Sequence, residues 1–214
     1  MIGNASAGRY TGLLPRILST RRHLLFLTGL IAIAAIACGS EESVSVSSAP
    51  SDSDSSSVTL ETIKDNLPLD FPVKVYQRDD VLGGTELNFS DIVALGKPVV
   101  LNAWAGLCPP CRAEMPDLQA VYEEFEDHII LFGLDLGPFT ALGNEKDARD
   151  LIAEIGVTYP AGNTDMARVV SKYKVLGMPS TIFITPDGKV KRSWTGLLNE
   201  GKLRELITEL IAAS

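Results

Sequence analysis

The chain has 214 residues, 45% hydrophobic and 21% charged, the balance of one globular domain with appendages. The formal charge is −8, but Arg9, Arg16, Arg21 and Arg22 lie in residues 1–37 without an acid, so the remainder holds 15 basic against 27 acidic residues, a net −12. A body this acidic argues against nucleic acid or an anionic membrane surface as partner and keeps the protein soluble.

Residues 1–37 read as a signal peptide. Arg21-Arg22 precedes LLFLTGLIAIAAIAC (24–38), a short apolar run ending in small residues. That run is shorter than the roughly 20 residues a spanning helix needs. Ala35-Ile36-Ala37-Cys38 resembles a bacterial lipoprotein signal, with Ala35 where leucine is usual. The resemblance implies lipidation of Cys38, and an uncleaved N-terminal anchor is the alternative. Thr20 to Leu25 also partly resembles a twin-arginine export signal; a basic pair in an ordinary signal reads the same way. Lipidated at Cys38 or held by an uncleaved anchor, the body is expected outside the cytoplasm, on a membrane. Residues 38–59 follow as a tether. Within 39–58 half the residues are serine, four are acidic and none is basic, so no core can form. As a flexible coil this stretch has an r.m.s. reach of about 25 Å.

A folded domain is expected over 60–214. Phe71, Val73 and Val75 alternate, as do Leu87 and Phe89, with Asp79-Asp80 and Gly83-Gly84 between them. This predicts an N-terminal β-hairpin. Ser90 is placed to cap a short helical turn through Leu95, which Gly96-Lys97-Pro98 breaks. The apolar run 98–104 predicts a buried strand, and Cys108-Pro109-Pro110-Cys111 follows it. A helix is expected from there to about Glu126, because Leu118, Val121, Tyr122 and Phe125 fall on one face. The prolines are tolerable in a first turn, whereas Pro116 is expected to kink the helix. Residues 128–136 predict a second buried strand, 137–144 a loop and 145–156 a helix ended by Gly156. A short strand within 157–162 and a helix over 165–175 come next. Strand 180–185, a turn at Pro186-Asp187-Gly188, a partner strand 189–196 and a helix from Asn199 to Ala212 complete the chain. Leu203, Leu206, Ile207, Leu210 and Ile211 are expected to face inward on that last helix. The order predicts an α/β fold, a central sheet covered by helices on both faces.

The chemistry lies at Cys108 and Cys111. A strand ending in C-x-x-C and turning into a helix puts both sulfurs at the first helical turn. The positive end of the helix and its unpaired N–H groups there stabilise thiolate, the reactive form of cysteine. Thiol–disulfide exchange is the reaction this predicts. Cys108, first in the helix and taken as the more exposed, is assigned the nucleophile; Cys111 is the resolving thiol. Half of a zinc knuckle is the competing reading. No second C-x-x-C exists, and the only histidines are His23 and His128, so four ligands cannot be assembled. No cofactor is expected beyond the redox-active disulfide, and no metal.

The string WAGLCPPCRAEMPDL (104–118) resembles the TlpA/ResA-like extracytoplasmic thiol–disulfide oxidoreductases of the thioredoxin-like superfamily, whose string is close to W-A-x-W-C-P-P-C-R-x-E-x-P. Gly177-Met178-Pro179-Ser180-Thr181 resembles the cis-proline loop of that family, and helix 145–156 its inserted helix. The resemblance covers about residues 68–212. It implies a thioredoxin-like fold with a central mixed sheet, an N-terminal β-hairpin and one inserted helix.

The resemblance also implies that Pro179 is cis, that Met178 lies beside Cys108, and that this loop leaves a backbone edge for substrate. A core methionine is the plain alternative for Met178, and core packing alone explains Trp104. Leu107 departs from the family string, which has tryptophan before the first cysteine; this alters the substrate-facing surface and leaves the sulfur chemistry intact. Asn102 stands six before Cys108, where cytoplasmic thioredoxins carry a buried acid. Glu114 is a family position or a helix-face acid. Arg112 either favours the thiolate or is merely solvated. Implied partners are protein thiols or disulfides, an upstream membrane electron donor and the membrane itself through the lipid anchor. The resemblance favours a reductant, commonly toward apocytochrome c cysteines; an oxidant runs the same steps backwards. A peroxidase would want threonine three residues before its cysteine, where Ala105 stands. A non-catalytic lipoprotein binding module would not need Cys108, Cys111 and Pro179 intact.

Overall fold

A computed structural model describes residues 58–214. The signal peptide, Cys38 and nearly all of the tether lie outside the described residues. In chain order the elements are α1 (Leu60–Asn66), β1 (Pro72–Gln77), α2 (Asp79–Leu82), β2 (Glu86–Asn88), α3 (Phe89–Val93), β3 (Val99–Trp104), α4 (Pro109–Phe125), β4 (Ile130–Asp135), α5 (Gly137–Thr140), α6 (Glu145–Ile155), β5 (Ala161–Asn163), α7 (Arg168–Lys172), β6 (Ser180–Ile184), β7 (Val190–Thr195) and α8 (Glu200–Ile211). The strands form one mixed sheet in the order β2-β1-β5-β4-β3-β6-β7. β3, β4 and β5 run parallel; β6 is antiparallel to β3, and β1 to β5. The expected thioredoxin-like α/β architecture, hairpin and inserted helix are all present, and the hairpin is continuous with the main sheet through β1.

β3 is buried along its whole length, yet its side chains still divide by parity. Val100 and Trp104 enter the core under α4, α6 and α8, whereas Val99, Leu101 and Ala103 enter the core under α1, α3 and α7. A strand that faces helices on both sides must be apolar at both parities. Asn102 is the exception, and it points to the α4 side. On β4 the same side carries Leu131 and then Gly133. A Cβ at Gly133 would lie 3.0 Å from Trp104 Nε1 and 3.1 Å from Tyr159 Cε2, so glycine leaves the room those two rings fill.

Several local expectations are corrected. α1 begins at a capping threonine, Thr59, in a stretch where no helix was expected. Asn88, not Ser90, is the N-cap of α3; Ser90 lies inside the helix, buried, its hydroxyl donating to Asp70 Oδ2. A short α5 takes up residues 137–140 of the loop expected at 137–144, with Asp135 Oδ1 taking the Gly137 N–H at its start. The helix expected over 165–175 shrinks to five residues, with Lys174 left-handed after it. α4 runs from Pro109 to Phe125 with Pro116 inside it, as expected. Phe125 and Ile211 lie only partly buried at the ends of their stripes. The buried Leu203, Leu206, Ile207 and Leu210 of α8 each stabilise its docking by about 1.5–3 kcal/mol.

Candidate active site

Cys108 is the N-cap of α4, with Pro109 and Pro110 opening the helix. The Cys111 N–H donates to Cys108 Sγ at 3.3 Å. Two prolines carry no N–H, so they remove two donors that a helix start would otherwise offer, and Cys111 N–H is the first one left. The two sulfurs are joined at 2.04 Å with a Cα–Cα separation of 5.3 Å. Exposure does not separate them as the sequence suggested: Cys108 is 3% exposed and Cys111 1%. Joined to each other and packed with Trp104, Met115 and Leu198, both sulfurs belong to the core.

The loop before the cysteines is held by the insert. Leu107 N–H donates to the Leu142 carbonyl at 2.8 Å, and the Leu107 side chain lies against Gly143. Gly106 meets the first turn of α6 so closely that a Cβ there would be 2.5 Å from Ala148 N and Asp147 C. Both clashing atoms are backbone, so Gly106→Ala must displace α6. It should destabilise the fold by about 3 kcal/mol, read as a lower urea midpoint at unchanged slope.

The Met178–Pro179 peptide bond is cis. Met178 packs against both core clusters, and Pro179 is buried with its carbonyl accepting Gly196 N–H at 2.8 Å. Trp104 is fully buried beneath the motif, its Nε1 without a partner, as is the hydroxyl of Tyr159.

Glu114 is not a helix-face acid. It is buried one turn after Cys111 on the same face of α4. Asn102 Nδ2 donates to its Oε1 at 2.8 Å and Leu198 N–H to its Oε2 at 2.7 Å, while Asn102 also donates to Thr181 Oγ1. Burial raises the Glu114 carboxyl to about 7, only partly offset by those two donors. Burial likewise raises Asp135 at the end of β4, against donation from Gly137 N–H and Tyr76 hydroxyl. Arg112 does not stand free: it forms a two-bond pair with Glu154 on α6, in water. The sequence signals for the Glu114 network were a lone Asn in an apolar strand and an acid three residues after Cys111. Leu198 contributes through backbone alone, which no residue type announces.

A model of the AhpC/TSA family matches residues 63–193. The chain belongs to that family. Among curated proteins it is similar to the thiol–disulfide oxidoreductase ResA of Oceanobacillus iheyensis, 30% identical over 141 residues that cover 66% of this chain and 69% of the relative. The ResA of Bacillus subtilis is 27% identical over 122 residues, covering 57% of this chain and 65% of the relative. This member of the family is an enzyme, a thiol–disulfide oxidoreductase of the ResA-like kind. Two solved structures share its fold: a putative thiol:disulfide interchange protein DsbE from Chlorobium tepidum (22% identity, TM-score 0.55, covering 69% and 94% of the two chains) and StoA from Bacillus subtilis (20%, 0.52, 66% and 98%). Among the described residues no group of three or more His, Cys, Asp or Glu could hold a metal, and no helix is long and apolar enough to cross a membrane.

Proposed function

We propose that this protein is a membrane-tethered, extracytoplasmic reductant of protein disulfides. Residues 1–37 direct export, lipidated Cys38 holds the membrane, and the serine-rich segment to residue 59 gives the domain its reach. Cys108 thiolate attacks a substrate disulfide, forming a mixed disulfide while the second substrate sulfur leaves as thiolate and takes a proton. Cys111 thiolate then attacks Cys108 Sγ. The 108–111 disulfide forms, and the first substrate sulfur leaves as thiolate. Two electrons have passed from the enzyme dithiol to the substrate. A thiol donor at the membrane returns them. Glu114 takes the Cys111 proton: a carboxyl at about 7, one turn away in the same interior, keeps the buried charge constant as the thiolate forms.

The observation that supports this direction is the Pro109-Pro110 start of α4. A strongly stabilised thiolate makes an oxidant. Here two of the N–H groups that would stabilise one are missing, and Arg112, next in sequence to Cys111, is paired with Glu154. The reduced form is therefore less favoured, and its electrons pass on readily. Substrates of this kind include the cysteines of apocytochrome c before haem attachment. Ala105 is buried and carries no hydroxyl, so the peroxidase reading lacks its threonine.

Alkylation of cysteines in intact cells tests the direction. Cys108 and Cys111 should be found mainly as thiols during growth and shift to the disulfide when membrane thiol donors are inactivated. A pair found as the disulfide in growing cells overturns the reductant assignment.

A further inference from the structure

Helix α4 carries a single cation, Arg112. It stands one turn along the helix from Cys108, and its N–H donates to the Cys108 carbonyl at 3.1 Å. A cation this close to a helix-capping cysteine ordinarily lowers the thiol pKa, because its charge favours the thiolate. Here that charge is engaged elsewhere. Both terminal guanidinium nitrogens meet Glu154 of α6, Nη1 with Oε1 and, at 2.8 Å, Nη2 with Oε2. A planar fork matched to a carboxylate fixes the direction of the whole side chain, unlike a single exposed ion-pair contact. The attraction is mutual, since the hydrogen bond from Arg112 holds the Glu154 carboxyl below its usual range.

The insert sets where Glu154 stands. The first turn of α6 meets Gly106 of the loop that leads into the cysteines, and Leu142 ahead of α6 accepts the Leu107 N–H. The cations of α6 itself are held on their own helix, Lys146 by Asp150 and Arg149 by Glu145. The insert therefore brings an acceptor for Arg112 and no unpaired cation of its own. We propose that Glu154 is a positioning residue that holds the Arg112 charge off Cys108, and so sets how readily Cys108 ionises and how far the pair lies toward its reduced form. This rests on the exchange reaction and adds its control by the insert. The disulfide carries no charge for Arg112 to stabilise, so a freed guanidinium would favour the reduced protein alone, and only where Cys108 is a thiolate.

The test places the purified full-length parent, Glu154→Gln, Arg112→Gln and the double variant in mixtures of dithiothreitol and its cyclic disulfide. Enzyme disulfide and dithiothreitol give enzyme dithiol and cyclic disulfide, with two electrons and two protons passing to the enzyme. Alkylation and mass spectrometry read the dithiol fraction. At pH 9, Glu154→Gln should favour the reduced enzyme about threefold over the parent, or about 14 mV, the effect of one charge at a helix start. At pH 6, where both proteins hold mainly thiol, the two should agree. Made in the Arg112→Gln protein, Glu154→Gln should change nothing at either pH. An equilibrium unmoved at pH 9, an equal shift at pH 6 and pH 9, or an equal shift in both backgrounds overturns the proposal and leaves the exchange reaction standing. A parent disulfide that dithiothreitol does not reduce overturns the exchange reaction, and the proposal with it.

Discussion

Cys108→Ser should reduce insulin-disulfide reduction to the uncatalysed rate, whereas Cys111→Ser should retain the first step and stall as a mixed disulfide at Cys108. The asymmetry comes from position on α4. Cys108 caps the helix and receives the Cys111 N–H, so its thiolate is the one the backbone stabilises. Cys111 lies inside the first turn, 1% exposed, and reaches no partner sulfur but that of Cys108. Without it the mixed disulfide has no internal exit, and release must wait for an external thiol. Mass spectrometry of trapped adducts from cells expressing Cys111→Ser reads the result and names the substrates. Adducts on Cys111 in the Cys108→Ser protein would reverse the assignment of roles.

Glu114→Gln should change both the pH profile and the pH dependence of stability. The folded protein holds this carboxyl at about 7, above the 4.5 of an exposed glutamate, because burial disfavours its charged form. A carboxyl raised on folding contributes stability that is fully present below about 4.5 and lost as pH rises through 7. Glutamine has no such loss. The stability difference between variant and parent should therefore move by about 3 kcal/mol in favour of the variant between pH 4.5 and 8, measured by urea unfolding at both. Comparing the two proteins cancels Asp135, whose carboxyl is also raised and is common to both. It also cancels the pH-independent cost of fitting the glutamine amide between Asn102 and Leu198 N–H. In the reaction, resolution of the mixed disulfide should rise through pH 7 in the parent and lose that limb in Glu114→Gln. A difference in stability that does not vary with pH would show that Glu114 does not titrate where its burial places it.

Much of the fold could be read in advance where one pattern has one physical outcome. The short apolar runs at 98–104 and 128–136 became the buried strands β3 and β4, and the Leu203–Leu210 stripe became the docked helix α8. The short elements were read poorly for the opposite reason. α1 and the cut-short α7 are tied by hydrogen bonds to distant residues, Asn66 to the Asp187 carbonyl and the Tyr173 hydroxyl to the Leu69 carbonyl, and α5 starts where the Gly137 N–H donates to Asp135. Glu114 shows the limit at the site. Its spacing from Cys111 was visible, but whether that face of α4 met water or Asn102 was not.

The sequence by itself placed Cys108 and Cys111 at the start of a helix, and its resemblance marked Pro179 as cis, because each is a local arrangement of a few consecutive residues. Tertiary structure alone decided the environment of that pair. It removed exposure as a distinction between the two sulfurs and paired Arg112 with Glu154. It also seated the insert on Gly106 and buried Glu114 between a strand side chain and a loop N–H. Those outcomes depend on which elements pack together, over separations of 42 residues for Arg112 and Glu154 and 84 for Glu114 and Leu198. For Leu107, the sequence marked the departure from the family pattern, and the fold supplied Leu142 and Gly143 of the loop before α6 as its company.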